Sequence, residues 1–167
     1  MIHTDRLSLR ELDASDAPFI LELLNDPDFH HFIGDRGVRD LAGAEQYIQQ
    51  GPRVSYGQHG FGLYLVARKS DGAKLGICGL VKRDTLPCED IGYAFLPAYR
   101  GQGYGIEAAK AALQDGRERL GIVRVIAIVT PGNQSSLALL AKLGLVQRGL
   151  IRLSEDADEC LLLEPAG

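Results

Sequence analysis

Ile91-Gly92-Tyr93-Ala94-Phe95-Leu96-Pro97-Ala98-Tyr99-Arg100-Gly101-Gln102-Gly103-Tyr104-Gly105-Ile106-Glu107-Ala108 decides how this chain reads. An apolar run ends at a proline, a glycine-rich turn follows, and the turn leads straight into an alanine-rich helix. Gly101, Gly103 and Gly105 place three glycines in five residues, so successive backbone N–H groups can converge with no Cβ in the way. The helix that begins there adds its own unpaired N–H groups and the positive end of its dipole. Strand, glycine turn and helix start together predict a phosphate or pyrophosphate site.

Upstream of this stretch the pattern is strand-like. Residues 61–69 and 74–82 are joined by Ser70-Asp71-Gly72, a hairpin signal, and residues 88–96 pair next, giving an antiparallel meander. Before the meander, residues 4–11 alternate as a half-buried strand. Asp13 or Ser15 caps a helix carrying Phe19, Ile20, Leu23 and Leu24, which Asn25-Asp26-Pro27 ends. A helical turn over 28–32 follows, then a helix over 41–50 that Gly51-Pro52 stops. Downstream, a helix over 103–120 places Ile106, Ala109, Leu113, Gly116 and Leu120 on one stripe. A strand at 124–129, a helix at 134–143 and strands at 145–153 and 159–163 complete the chain.

Strand, helix and strand without a hairpin imply a right-handed crossover and a parallel pair. The expected class is α/β, with a mixed, mostly antiparallel sheet of about seven strands, a splayed central parallel pair and about four helices. Both strands of that pair end at proline, Leu96-Pro97 and Thr130-Pro131, so their ladder cannot continue there. Strands that part at this point leave free backbone groups across a crevice, to which an extended ligand with amide bonds can bond as a strand would. The crevice opens beside the glycine turn, where α/β sheets bind ligands.

Composition sets outer bounds. A chain of 167 residues with 46% hydrophobic content suits a single domain over 1–167 with a full core and no linker or repeat. No segment has the apolar length to cross a bilayer. The opening residues lack the basic and apolar regions of a secretion signal, so a cytoplasmic location is expected. Cys78, Cys88 and Cys160 lie far apart without CxxC spacing and read as buried, reduced thiols. A net charge of −4 with scattered Lys and Arg argues against a nucleic-acid partner.

The glycine turn excludes two familiar nucleotide sites. Gly103-Tyr104-Gly105-Ile106-Glu107-Ala108 satisfies GxGxxG/A by letter, but a dinucleotide fold wants it in the first strand–helix unit with an acid ending the next strand. Here it follows a meander, and the next strand ends Val129-Thr130-Pro131. A P-loop fails because no Gly-Lys-Ser/Thr occurs.

Arg100-Gly101-Gln102-Gly103-Tyr104-Gly105 instead resembles the R/Q-x-x-G-x-G/A signature of the GNAT N-acetyltransferase superfamily. Thr4-Asp5-Arg6-Leu7-Ser8-Leu9-Arg10 is similar to the T-x-R-L-x-L-R opening of its RimJ/RimL-type branch. Ile91-Gly92-Tyr93 resembles that branch's fourth strand. Asn133-Gln134-Ser135-Ser136 with Leu143-Gly144-Leu145 resembles its N-x-x-S…L-G-F segment, Leu145 replacing the usual aromatic. The matches run in order along nearly the whole chain.

The resemblance implies acetyl transfer from acetyl-CoA, a co-substrate, to a primary amine, by direct attack in a ternary complex and without a metal. The acceptor it implies is a protein N-terminus or a small amine. Backbone amides of Gly101, Gln102, Gly103, Tyr104, Gly105 and Ile106 would hold the pyrophosphate, the backbone of Phe95 and Leu96 would pair with the pantetheine arm, and Asn133 would bond the pantetheine region. Arg100 would steady the loop or the nucleotide end. A carboxylate near the start of the fourth strand often serves as base, and alignment favours Asp90 over Glu89. The tyrosine that many relatives use as acid falls at Leu140 here, and Ser136 is the residue implied to contact the sulfur, while Tyr93 is a further phenol nearby. The absent tyrosine keeps open an acyl-CoA-binding sensor with little turnover. Relatives are monomers or dimers, and a homodimer is the expectation.

Two segments bear on the acceptor. Phe29-His30-His31-Phe32 reads either as an aromatic core turn or as a substrate wall, without a third ligand for zinc. Ser154-Glu155-Asp156-Ala157-Asp158-Glu159 reads either as a solvated loop or as a source of negative potential for a cationic amine.

Overall fold

A computed structural model describes residues 1–166. Strands β1 (Ile2–His3) and β2 (Leu7–Arg10) lead through a 3-10 turn (Ala14–Asp16) into helices α1 (Ala17–Leu24), α2 (Pro27–Phe32), α3 (Leu41–Gln50) and α4 (Pro52–His59). The meander β3 (Leu63–Arg68), β4 (Lys74–Val81) and β5 (Asp90–Phe95) follows. After a 3-10 turn (Pro97–Tyr99) come α5 (Tyr104–Leu120), β6 (Ala127–Val129), α6 (Gln134–Lys142), β7 (Leu145–Ile151) and β8 (Cys160–Pro165).

These strands form two antiparallel sheets, ordered β1-β2-β3-β4-β5 and β6-β8-β7. The expected single sheet with a central parallel pair is therefore corrected. Parallel pairing shrinks to one bridge between Asp90 and Ile126. Beyond it β6 pairs with β8 instead, Ala127 opposite Leu163 and Val129 opposite Leu161. The counts change too, to eight strands and six α-helices among the described residues. Helix α3 ends at Gln50 with Gly51 as its cap, as expected, but a further helix follows at once: proline is tolerated at the first position of a helix, where its missing N–H is no loss, and Pro52 starts α4.

The first sheet is covered on both faces, so β3 and β4 read as near-continuous apolar runs. Tyr64, Val66, Cys78 and Leu80 join Ala108, Ala109 and Ala112 of α5 in one cluster. Leu65 and Ile77 point the other way, onto Ile20, Leu23, Leu24 and Ile48 of α1 and α3. The small side chains of α5 bring the helix close to the sheet; a Cβ on Gly116 would sit 2.8 Å or less from a side chain, 2.7 Å from Leu80 Cδ1. The buried stripe of α5 is Tyr104, Ala108, Ala109, Ala112 and Gly116, rotated slightly from the one its larger apolar residues suggested. None of the helices is long and apolar enough to cross a membrane, among the described residues.

One buried carboxylate fastens the helical layer to this sheet. Asp16 is fully buried and bonds Arg10 Nη2 at 2.8 Å, Lys74 Nζ at 2.7 Å and the Asp13 N–H at 3.0 Å. It joins β2, β4 and the entry to α1, with Asp13 capping the intervening turn. Burial alone would push the Asp16 carboxyl up, but the hydrogen bonds from Arg10 and Lys74 outweigh it and hold the group at about 2. A carboxyl held below its unfolded value of 3.8 adds stability in full above that value and loses it as the pH falls toward about 2. Asp16→Asn is expected to cost roughly 2 kcal/mol at neutral pH. Urea unfolding should show the gap between the two proteins closing as the pH falls from 5 toward about 2.

Candidate active site

The crevice begins where the two sheets touch. Ile91 N–H donates to Ile126 O at 2.9 Å, and Ile126 N–H donates to Glu89 O at 3.0 Å. Past this contact no hydrogen bond joins β5 to β6 among the described residues. In an antiparallel ladder, alternate residues turn their backbone groups to opposite sides. Leu96 N–H bonds Leu75 O at 2.9 Å on the β4 side, so Tyr93 and Phe95 turn their backbone groups toward the open side. Phe95 O already accepts Arg100 Nε at 3.0 Å, whereas among the described residues the Tyr93 and Phe95 N–H groups have no acceptor. Both Leu96 groups are used within the chain, since its carbonyl takes the Tyr99 N–H at 3.0 Å. The opening is a cavity of about 640 Å³, within the range of small-molecule sites.

The glycine turn stands at one end of this cavity. Gly103 has φ +83° and caps α5, a left-handed conformation that a residue with a side chain adopts only at a cost. No side chain caps this helix. Among the described residues, none of the six N–H groups from Gly101 to Ile106 donates to the protein; the first amide to do so is Glu107, to Gly103 O at 3.2 Å. Six free donors at the positive end of a 17-residue helix fit a diphosphate. Gly105 serves a different purpose: a Cβ there would lie 2.8 Å from Leu139 Cδ1, so its absence lets α6 approach.

Two sets of side chains hold the turn in place. Arg100 reaches back to the α1–α2 junction, bonding Asp26 at 2.8 Å and also Asp28. From below, Arg6 donates Nη1 to Gln102 O at 3.0 Å and Nε to Glu107 at 2.7 Å, with its guanidinium 4.4 Å over the Tyr104 ring. Thr4 also donates to Glu107. The Gln102 side chain bonds Ala98 O at 3.1 Å.

Toward the middle of the crevice, the Tyr93 hydroxyl contacts the Ser136 hydroxyl. Burial pushes the Tyr93 phenol up to about 12, against the opposing hydrogen bond with Ser136. Asn133 caps α6, its Oδ1 accepting the Ser136 N–H at 3.3 Å, which fixes where the serine points. Leu140 is 1% exposed, so an apolar side chain fills the position where a phenol was sought. Near the bridge, Asp90 is 2% exposed and bonds Arg83 Nε at 3.1 Å. Burial raises the Asp90 carboxyl, and the Arg83 charge opposes this only in part.

Other residues singled out in the sequence fall apart. Phe29 and Phe32 line the cavity, but His30 and His31 do not; His31 packs its ring 4.5 Å from Phe32. Phe32 O accepts Thr130 Oγ1 at 2.6 Å, tying α2 to the end of β6. The acidic run contributes no carboxylate to the lining, and Glu159 is paired with Arg152 at 3.3 Å. Glu89 does not line the cavity either. Of the cysteines expected to be buried, only Cys78 is; Cys88 and Cys160 are partly exposed, and Cys160 lines the cavity. No group of three or more His, Cys, Asp and Glu that could hold a metal occurs among the described residues.

Sequence reasoning missed Arg83 and the brace from Thr4 and Arg6. Arg83 carries no motif. Arg6 lies in a recognised segment, but its partner sits 101 positions away.

A family profile described as "Acetyltransferase (GNAT) domain" matches residues 6–146. The chain belongs to the GNAT acetyltransferase family. This acetyltransferase is 31% identical over 152 residues to the uncharacterized protein YkkB of Bacillus subtilis, covering 89% of this chain and 87% of that one. Its fold is similar to an acetyltransferase from Agrobacterium tumefaciens, with TM-score 0.80, 24% identity and coverage of 99% and 94% of the two chains. It is also similar to RimL, a ribosomal L7/L12 alpha-N-protein acetyltransferase in complex with coenzyme A, with TM-score 0.81, 19% identity and coverage of 96% and 94%.

In this acetyltransferase the two buried carboxylates behave oppositely. Asp16 has two cationic partners and an N–H; Asp90 has one cation. A carboxyl raised in the folded state favours folding below its unfolded value, and that contribution is lost as the pH rises through the raised value. Asp90→Asn is therefore expected to unfold at the same temperature as the parent or a higher one at pH 7. Its advantage should shrink as the pH falls toward 3.8 and level off below it, as read by thermal melts across that range.

Proposed function

We propose that this acetyltransferase moves acetyl from acetyl-CoA to a primary amine, a protein N-terminus or a small amine, in one ternary complex. The reading places it in the RimJ/RimL-type branch and in the cytoplasm. The observation that carries it is the unbroken run of free amides from Gly101 to Ile106 at the mouth of a crevice whose middle holds Tyr93 and Ser136 and whose inner end holds Asp90. The β5 edge is six residues long, or about 20 Å, the length of an extended arm with amide bonds of its own.

On this reading the amides of Gly101 to Ile106 hold the diphosphate, and Arg100 keeps them in place through Asp26 and Asp28. The Tyr93 and Phe95 N–H groups meet the arm's carbonyls, in preference to Leu96, and the unused amide end of Asn133 faces the same arm. When bound, acetyl-CoA supplies the acetyl group as an activated thioester. Asp90, kept receptive to a proton by burial, draws the acceptor ammonium toward its neutral form. The nitrogen lone pair attacks the thioester carbon, so a C–N bond forms and the C–S bond breaks. Of the two protons that leave nitrogen, one ends on sulfur and one in solvent.

The Tyr93–Ser136 pair is the proton source for sulfur. Two hydroxyls in mutual contact use one proton between them and have one left for a third group. The raised Tyr93 value keeps the pair protonated at neutral pH. No protein nucleophile is required, because holding amine and thioester together supplies much of the rate.

Acetyl-CoA should raise the melting temperature, and an amine panel should release free thiol from it. Ser136→Ala or Tyr93→Phe should lower kcat on the order of 100-fold while leaving acetyl-CoA affinity nearly unchanged. Gly103→Pro should abolish the melting shift, since proline cannot take the required φ. A melting shift without thiol release from any amine would favour the sensor reading.

A further inference from the structure

The inner end of the crevice holds more positive charge than its carboxylates neutralise. Three carboxylates line the cavity, Asp26, Asp28 and Asp90. Arg100 takes the first two, and Asp90 takes only Nε of Arg83. Among the described residues, the two terminal nitrogens of Arg83 have no acceptor. Arg36, also in the lining, pairs with no carboxylate among the described residues, and its neighbour Asp35 is engaged by Arg39. Tyr47 lines the same cavity, and among the described residues its hydroxyl bonds no protein group. Burial raises that hydroxyl, while the charges of Arg36 and Arg83 pull against the rise, which sets both guanidiniums near it.

These groups come from three separate segments: the loop after α2, helix α3 and the turn after β4. Arg83 is bonded to Asp90, and Phe29, Phe32 and Ile33 give the same cavity an apolar wall. A guanidinium fork matches a carboxylate in shape and charge, whereas a second ammonium on the acceptor would meet uncompensated positive charge. We infer that the acceptor carries a carboxylate close to its amine, as a free amino acid with an apolar side chain does, and that Arg36, Arg83 and Tyr47 hold that carboxylate while the amine faces Asp90. This rests on the acetyl-transfer reading for the amine's position, and it assigns the acceptor class that reading leaves open.

Phenylalanine, phenylalaninamide and 2-phenylethylamine, compared at matched pH in a thiol-release assay, test it. Phenylalanine should exceed both neutral-tailed amines in kcat/KM by roughly 10- to 100-fold. Arg36→Gln should collapse that ratio toward one through KM, with Arg36→Lys restoring part of it. Equal or better turnover of the two amines without a carboxylate would overturn the inference and leave acetyl transfer standing. Calorimetry on the protein saturated with coenzyme A separates the two failures. N-acetylphenylalanine should bind at least about tenfold tighter than N-acetyl-2-phenylethylamine, and Arg36→Gln should erase the difference. If the preference appears without any turnover, the acceptor assignment stands and the transfer reading fails. If both compounds bind alike, the acceptor assignment fails.

Discussion

After the single parallel bridge between Asp90 and Ile126, β5 keeps β4 as a neighbour and β6 turns away to β8. An exposed strand edge inside a protein is costly, because its N–H and C=O groups have given up water without gaining a partner. Here that edge lines a cavity instead of being zipped shut. Everything else in the site is arranged around the gap: the glycine turn at its mouth, the Tyr93–Ser136 contact along it and Asp90 at the point where the strands meet. The two-sheet architecture and the site thus have one physical origin.

Charge placement follows the same division of labour. Asp16 and Asp90 are the two buried charged residues among those described, yet only Asp16 is fully compensated. Its three donors turn burial into a structural tie among β2, β4 and α1. Asp90, with a single guanidinium beside it, is left in an environment that works against its ionised form. Under-compensated buried carboxylates are typical of functional sites and expensive as scaffolding. The contrast within one chain separates the carboxylate that ties the layers together from the one left under-compensated in the crevice.

Much of this was legible in the residues because it is local. Glycines at alternate positions before an alanine-rich helix have few other uses, and the meander announced itself through alternation and Ser70-Asp71-Gly72. Long-range choices were less visible. Pro97 and Pro131 correctly marked the end of pairing, but nothing nearby said that β6 would exchange its partner for β8 and divide the sheet. Gly51-Pro52 marked the end of α3 correctly but gave no sign of α4, because proline both ends helices and begins them. The meeting of Tyr93 with Ser136, and of Arg83 with Asp90, depends on how strands and helices stack. No sequence spacing encodes it.

The brace from Thr4 and Arg6 has a consequence for handling the protein. Glu107 and the Gln102 carbonyl, which position the first turn of α5, are held by side chains from a segment that looks dispensable, a short edge strand and the bend after it. Shortening the amino end by six residues would remove those holds and slacken the amides a hundred positions downstream, while taking only the partly buried Ile2 from the margin of the hydrophobic core. A fusion tag is better attached at the opposite end, where β8 and the Ala166 N–H to Gly144 O bond at 3.0 Å lie on the other sheet.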